Sequence, residues 1–327
     1  MTTIFETISS LGFEHHFDVV EHKSITEHFQ SIEKCGIYIL HFGNGELYVG
    51  QAIDVTRRYT QHSKIYDDII KISFKCILPD KLNTIEKKTI EVLEGLNLHL
   101  RNIVHTSVSY APSSFDELIT PDDQLNWCNS GDYIDKAEER INNLEIRRKY
   151  QTRYKQFLKM PRANEVIEIL RHYVTTCIPA YKSGEMYYWS CTCLLEKRPD
   201  NMLIYSRINI NWQEVFTVGT QNNRLFFSWH LANSPIRLTW KNCHFYRRSV
   251  HENLLLNNAS LTNHRYSPGG QNQINMDVEG NIDKALSIMR DPHILYAMKY
   301  FNLNLMRKGP SPYFKYHCFD LADNFFI

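Results

Sequence analysis

Residues 36–50 read GIYILHFGNGELYVG, two short apolar runs around a glycine-rich turn, a pattern that predicts an antiparallel hairpin. A third apolar run, KISFKCIL at 71–78, predicts another strand. Between and after these lie DVTRRYTQHSKIYDDI at 54–69 and LNTIEKKTIEVLEGL at 82–96, whose apolar positions recur at helical spacing. Residues 1–34 predict a helical lead-in, and 107–131 a connector rich in turn formers. Residues 132–178 predict helix, with Asp132 as its cap. From about 185 the texture turns to strands: YYWSCTCLL, NMLIYSRINI, EVFTVG, RLFFSWHL and IRLTWKNCHFYRR. SPGGQNQIN at 267–275 predicts a loop, 281–305 a helix, and PYFKYHCFDLADNFF at 312–326 a strand or irregular chain. The expected class is α+β, divided as 1–34, 35–106, 107–131, 132–178 and a strand-rich 179–327.

Each hairpin strand carries a phenol, Tyr38 in GIY and Tyr48 in YVG. Alternation makes their relation depend on the turn. A two-residue Asn44-Gly45 turn sets Tyr48 opposite His41 and sends the phenols to opposite faces. A three-residue Gly43-Asn44-Gly45 loop pairs Phe42 with Glu46, sets Tyr48 opposite Leu40 and puts both phenols on one face, with Gly45 left-handed.

Composition narrows the class without naming a reaction. The chain has 327 residues, 43% of them hydrophobic, enough for two packed domains. Lys and Arg total 37 against 36 Asp and Glu, so nucleic-acid binding requires a local basic patch. The eight cysteines are scattered, and Cys191-Thr-Cys193 lacks zinc-knuckle spacing and a second half. Reduced thiols, no basic-then-apolar leader and no apolar run of ~20 residues point to a cytoplasmic chain with no membrane partner.

Chemistry gathers just after the hairpin. Arg58 and His62 stand four apart, on one face of the predicted helix that Asp54 caps. Glu86 follows on the next helix, and Asn102 in LRN. Two phenols, a fixed cation, an imidazole and a carboxylate are the parts that phosphodiester hydrolysis needs. A carboxylate holds a hard cation through oxygen, positive charge neutralises the phosphate in the transition state, and a base takes a proton from water.

In this ordered set the stretch 35–106 resembles the GIY-YIG nucleases, with GIY at Gly36-Ile37-Tyr38 and YVG at Tyr48-Val49-Gly50. The resemblance implies a three-stranded antiparallel sheet flanked by helices and a one-metal hydrolysis leaving a 5′-phosphate and a 3′-hydroxyl. It places the family arginine on Arg58, the His-or-Tyr position on His62, the glutamate ligand of Mg2+ or Mn2+ on Glu86, and the asparagine on Asn102. Glu91 and Glu94 are alternatives for the ligand, and Arg57 competes with Arg58 or contacts a backbone phosphate. Tyr38 is implied as the general base or its helper. An ordinary phenol, near pKa ~10, is too weakly acidic to ionise at neutral pH. The expectation is that a nearby cation and His62 lower that value or take the proton. Tyr48 and Arg58 are implied as phosphate binders.

The remaining chain offers a reader for the target. RRKYQTRYKQFLKMPR presents Arg147, Arg148, Lys149, Arg153, Lys155, Lys159 and Arg162 with no acid among them, a candidate DNA contact. Aromatics such as Tyr187, Tyr188, Trp189, Trp212, Phe226, Phe227, Trp229 and Trp240 are expected mostly in the core, with one or two lining a pocket for an extruded or modified base. The expected function is a metal-dependent endonuclease on DNA, in restriction or anti-phage defence, with double-strand cleavage requiring a homodimer or two nicks. The alternatives are a non-catalytic nucleic-acid-binding protein with a degenerate nuclease domain, and a nuclease acting on RNA or single-stranded DNA.

Overall fold

Burial on both faces makes the run Gly36–Phe42 a central strand: every residue in it but His41 is buried. The structure is a computed structural model that describes residues 4–64, 66–96, 98–101, 113–130, 135, 140–199, 201–233, 259–262, 264–270 and 272–326. The chain divides into two compact units, Met1–Ala111 and Pro112–Ile327. Each mixes helices with one antiparallel sheet, as the α+β expectation has it.

The first unit runs α1 (Ile4–Ser10), β1 (His15–Asp18), β2 (Gly36–Phe42), β3 (Leu47–Ala52), α2 (Val55–His62), β4 (Ile69–Cys76) and α3 (Leu82–Gly95). Its sheet has the order β1-β4-β2-β3 and four strands, not the three expected. The addition comes from the lead-in, where HHFD forms β1 rather than helix. Its pairing with β4, and a bond of 2.8 Å between His16 Nδ1 and Ser73 Oγ, outweigh weak local preference. Tyr38, Leu40 and Phe42 face Val55 and Tyr59 of α2. Ile37, Ile39 and Val49 face Leu82, Ile90 and Leu93 of α3. The sheet is thus sandwiched, with α2 and α3 on opposite sides and β3 at an edge.

Helix α2 begins where expected, with the Asp54 carboxylate accepting from the amides of Thr56 (3.0 Å) and Arg57 (3.2 Å). It ends at His62 rather than continuing to 69. The chain is needed next door: Ile69 already pairs with Phe42 of β2, and Arg101 clamps the Asp68 carboxylate just before it. Strand pairing and an ion pair decide this boundary, and neither is visible in a local helical pattern.

The second unit comprises α4 (Pro121–Asn129), α5 (Leu144–Phe157), α6 (Ala163–Cys177), β5 (Trp189–Thr192), β6 (Glu196–Arg198), β7 (Met202–Ile210), β8 (Gln213–Gln221), β9 (Arg224–Ala232), β10 (Ala259–Thr262), β11 (Gln273–Gly280), α7 (Ile282–Met289), α8 (Pro292–Arg307) and α9 (Phe319–Ala322). Its described strands run β10-β11-β9-β8-β7-β5, with β6 also on β7. Leu225, Phe227, Trp229 and Leu231 of β9 enter one core with α6 and α8.

Several expectations need correction here. The connector 107–131 contains α4, whose Trp127 and Cys128 belong to that core. The helical stretch breaks at Arg162, where φ is +64°, so α5 and α6 are separate. The loop 267–275 gives way at Gln273 to β11, which pairs with β9. The tail 312–326 forms short helical turns, not a strand, anchored by the buried His317 ring against Glu185 at 3.0 Å. Asn102, Asp132, Trp240 and the run IRLTWKNCHFYRR lie outside the described residues. Among the described residues no helix is long and apolar enough to cross a membrane, and the described cysteines are free thiols.

Candidate active site

The hairpin turn decides whether the two phenols meet. Phe42 N donates to Glu46 O at 3.0 Å, Gly45 N donates to Phe42 O at 3.0 Å, and Gly45 has φ +85°. Leu40 therefore pairs with Tyr48 and Tyr38 with Gly50, the register of the three-residue loop. Both rings lie on the α2 side of the sheet, 6.3 Å apart and inclined by 28°. Arg101 supports this turn: its guanidinium bonds Glu46 and Asp68 and covers the Phe42 ring at 3.6 Å. Nothing in the motif spacing singled out Arg101.

Both motif glycines answer to space. A Cβ on Gly50 stands 2.3 Å from the Tyr38 phenol oxygen and 2.4 Å from its Cζ. The phenol lies directly over its cross-strand partner, and only a hydrogen there leaves room. A Cβ on Gly36 stands 2.1 Å from the Lys75 carbonyl oxygen and 2.7 Å from the Phe74 ring. Gly50→Ala is expected to push the phenol off its place and to destabilise the unit by about 1–3 kcal/mol, the usual cost of overpacking. Urea unfolding measures it, and a Gly50→Ala variant as stable as the parent shows that the ring yields freely.

Helix α2 supplies the next two groups. The Tyr38 hydroxyl lies 2.8 Å from His62 Nε2. The Tyr48 and His62 ring centroids are 4.8 Å apart. The Arg58 charge favours the ionised forms of both phenols, and its Nη1 donates to Gln61 Oε1 at 2.8 Å. A neutral His62 with its hydrogen on Nδ1 accepts from the Tyr38 O–H. The other nitrogen, His62 Nδ1, is buried without a partner among the described residues.

Burial sets the protonation. It raises both the Tyr38 and Tyr48 phenols above their ordinary value, and the Arg58 cation offsets only part of this. The expectation of a lowered Tyr38 pKa is therefore corrected: desolvation of a phenolate in this apolar layer outweighs one cation on its rim. Burial first, and Arg58 second, depress His62 to about 4. His62 is thus neutral at pH 7 and able to accept.

That shift carries a sign for stability. His41, His62 and His230 are each held at about 4 by burial, against an ordinary 6.5. Between these values the unfolded chain binds protons that the folded chain refuses. Stability is therefore full above pH 6.5 and is lost as pH falls toward 4. A shift of that size on a buried ring is worth on the order of 3 kcal/mol. Thermal unfolding at pH 7.5 and pH 5 checks this; an unchanged midpoint contradicts it.

Glu86 arrives from the other layer. It sits half-buried on α3, where Gln51 Nε2 donates to Oε2 at 3.1 Å. Gln51 follows YVG on the edge strand β3, with its side chain on the α3 side, and also bonds Asn83. Alternation from Tyr48 was the signal for Gln51, since an odd position there faces the second helix. Burial raises the Glu86 carboxyl, while Gln51 and the Arg58 charge pull it down. Glu86 also acts electrostatically on both phenols. Tyr38, Tyr48, Arg58, His62 and Glu86 thus gather around β3. Glu91 and Glu94 lie one and two turns farther along α3.

The basic candidates divide. Arg57 is exposed on α2 beside Arg58. On α5, Arg148, Lys149, Arg153 and Lys155 are exposed, as is Lys159 just beyond it, and none has an ion-pair partner among the described residues. Arg147 departs from the expected DNA-contact set: its guanidinium turns inward to Asp320 and Asp323, each at 2.7 Å. Arg162 pairs with Glu165 at 2.8 Å. Of the aromatics, Trp189, Phe227, Trp229 and Tyr188 are core. Phe226 lines a cavity of about 260 Å3 with His230, Tyr266 and Asn275. Tyr187 and Trp212 line an apolar cleft of about 530 Å3.

Compared with known proteins, the chain matches no family model, no curated protein and no solved structure.

Proposed function

We propose that the first unit is a GIY-YIG-type nuclease domain and that the protein is a metal-dependent endonuclease of DNA, acting in restriction or anti-phage defence. The observation that carries this reading is the gathering of two phenols, a guanidinium and a neutral imidazole on one side of β3, with a carboxylate held at its edge.

The donor set suits a hard cation. Mg2+ keeps most of its waters and takes one or two carboxylates together with substrate phosphate, so the single Glu86 is sufficient. The cation, Mg2+ or Mn2+, supplies charge neutralisation and a more acidic water. The chain does the rest. Tyr48 and Arg58 hold the scissile phosphate. Tyr38 takes a proton from the attacking water while its own passes to His62 Nε2, so no free phenolate forms; the imidazolium that results is opposed by burial and Arg58, and the bound phosphate's negative charge offsets the Arg58 part. The water oxygen bonds to phosphorus as the bond to the 3′ oxygen breaks, the departing 3′ oxygen takes a proton from solvent, and the products are a 5′-phosphate and a 3′-hydroxyl. Arg57 and the exposed cations Arg148, Lys149, Arg153 and Lys155 are the backbone-phosphate contacts, and the second unit reads sequence or base modification. One such site cuts one strand, and a homodimer or two nicks cut both.

Incubating the purified chain with plasmid, phage and modified DNA, with Mg2+ or with chelator, tests this. The expected result is Mg2+-dependent nicking that leaves 5′-phosphate ends. Cleavage confined to RNA or single strands reassigns the substrate. Binding without cleavage on every substrate leaves the degenerate, non-catalytic alternative.

A further inference from the structure

We propose that the first unit carries a second metal site, for a zinc-class divalent ion, formed by His22, Glu27 and His28. It takes no part in the chemistry assigned to Glu86, and it stands or falls independently of cleavage. His22 Nε2 lies 3.7 Å from Glu27 Oε1, and His28 Nε2 lies 4.0 Å from the same oxygen. All three ligand atoms fall within 4.8 Å of one another. Ligands at ~2.0–2.2 Å from a tetrahedral ion stand roughly 3.4 Å apart, so the three atoms need only draw slightly closer to share one.

Two further observations point to an ion rather than a chance cluster. His22 Nδ1 sits 2.9 Å from the Val20 carbonyl oxygen, an acceptor only, so Nδ1 carries the hydrogen. In neutral His22 this leaves the Nε2 lone pair facing Glu27, the arrangement by which a carbonyl orients a metal-ligating imidazole. His28 Nε2 is a buried nitrogen with no hydrogen-bond partner among the described residues. Its ring is set by stacking on Phe17, with centroids 4.7 Å apart. A fixed lone pair, an orphaned nitrogen and a carboxylate oxygen converge, and the exposed Glu27 leaves the fourth position to water. Two imidazoles with one carboxylate select Zn2+, Co2+ or Ni2+ over Mg2+, which prefers oxygen.

The site braces something useful. Tyr59 of α2 donates its hydroxyl to the His22 carbonyl at 2.9 Å, and Ser63 Oγ donates to the Lys23 carbonyl at 3.3 Å. The segment holding the ion therefore grips the helix that carries Arg58 and His62.

The test is a calorimetric titration of the chelator-treated full chain with Zn2+, paired with Co2+ absorption in the visible. Parent protein is expected to show a tight equivalent that millimolar Mg2+ does not displace and that raises the unfolding midpoint. His22→Ala and Glu27→Ala are expected to weaken that equivalent at least about 100-fold, and Glu86→Ala to leave it intact. His22→Ala carries the weight, because its half-exposed ring can go without loss of fold, whereas His28→Ala also removes the Phe17 stack. Equal Zn2+ binding by parent and His22→Ala overturns the site and leaves an ion pair in its place. Loss of the equivalent in Glu86→Ala alone moves the ion to the nuclease centre and equally overturns it.

Discussion

Glu86→Ala is expected to lower Mg2+-dependent cleavage by on the order of 10³-fold or more, with the fold intact. The side chain is half-buried on α3, and its described bond comes from Gln51, itself on the rim of the sheet. Removing it takes no apolar packing from the core. What is lost is the oxygen proposed to hold the cation, worth several kcal/mol of transition-state charge neutralisation, at a factor of ten for each ~1.4 kcal/mol. Glu86→Gln tests charge against shape: it keeps the bond to Gln51 by flipping its amide and is expected to be nearly as inactive. The measurement is nicking rate across a Mg2+ series. A variant that cuts at the parental rate means that Glu86 holds no cation, and Glu91→Ala and Glu94→Ala are then the next to measure.

Arg58→Ala is expected to cost about 10²–10³ in cleavage rate, the range for removing one preorganised donor from a developing oxyanion. Arg58 is exposed in the middle of α2, so stability is expected to hold. Its removal also takes away the cation that offsets burial at both phenols. Loss of that cation raises the Tyr38 and Tyr48 phenols further and relaxes the depression of His62. The pH–rate profile is therefore expected to change along with the rate. Arg58→Lys restores charge without the planar fork and is expected to recover only part of the activity. Full activity in Arg58→Ala, with Arg57→Ala inactive, transfers the role to the neighbour.

The hairpin shows how far local pattern reaches. Period-2 alternation and a glycine loop predicted the strands GIYILHF and ELYVG, and parity alone tied the shared face of Tyr38 and Tyr48 to a loop of three. Asp54 was legible as a cap because capping is a property of four adjacent residues. HHFD was not legible as a strand, since what stabilises it is β4, more than fifty residues away. The end of α2 was hidden for the same reason: Ile69 belongs to β4 because β2 requires a partner. Arg147 was counted with its exposed neighbours, since nothing nearby in sequence announces Asp320 and Asp323.

What the sequence determined by itself was the local set: alternation, the turn, the cap, and the four-residue spacing that puts Arg58 and His62 on one helix face. These follow from steric and hydrogen-bonding rules that act over a few residues. Only the tertiary structure decided protonation and placement. Burial between sheet and helix keeps Tyr38 protonated, against the expectation that a nearby cation lowers its pKa, and it holds His62 neutral. The α3 side of β3 lets Gln51 meet Glu86, in the layer opposite the two phenols. Desolvation and layer packing depend on every segment that folds over the site, and no window of sequence contains them.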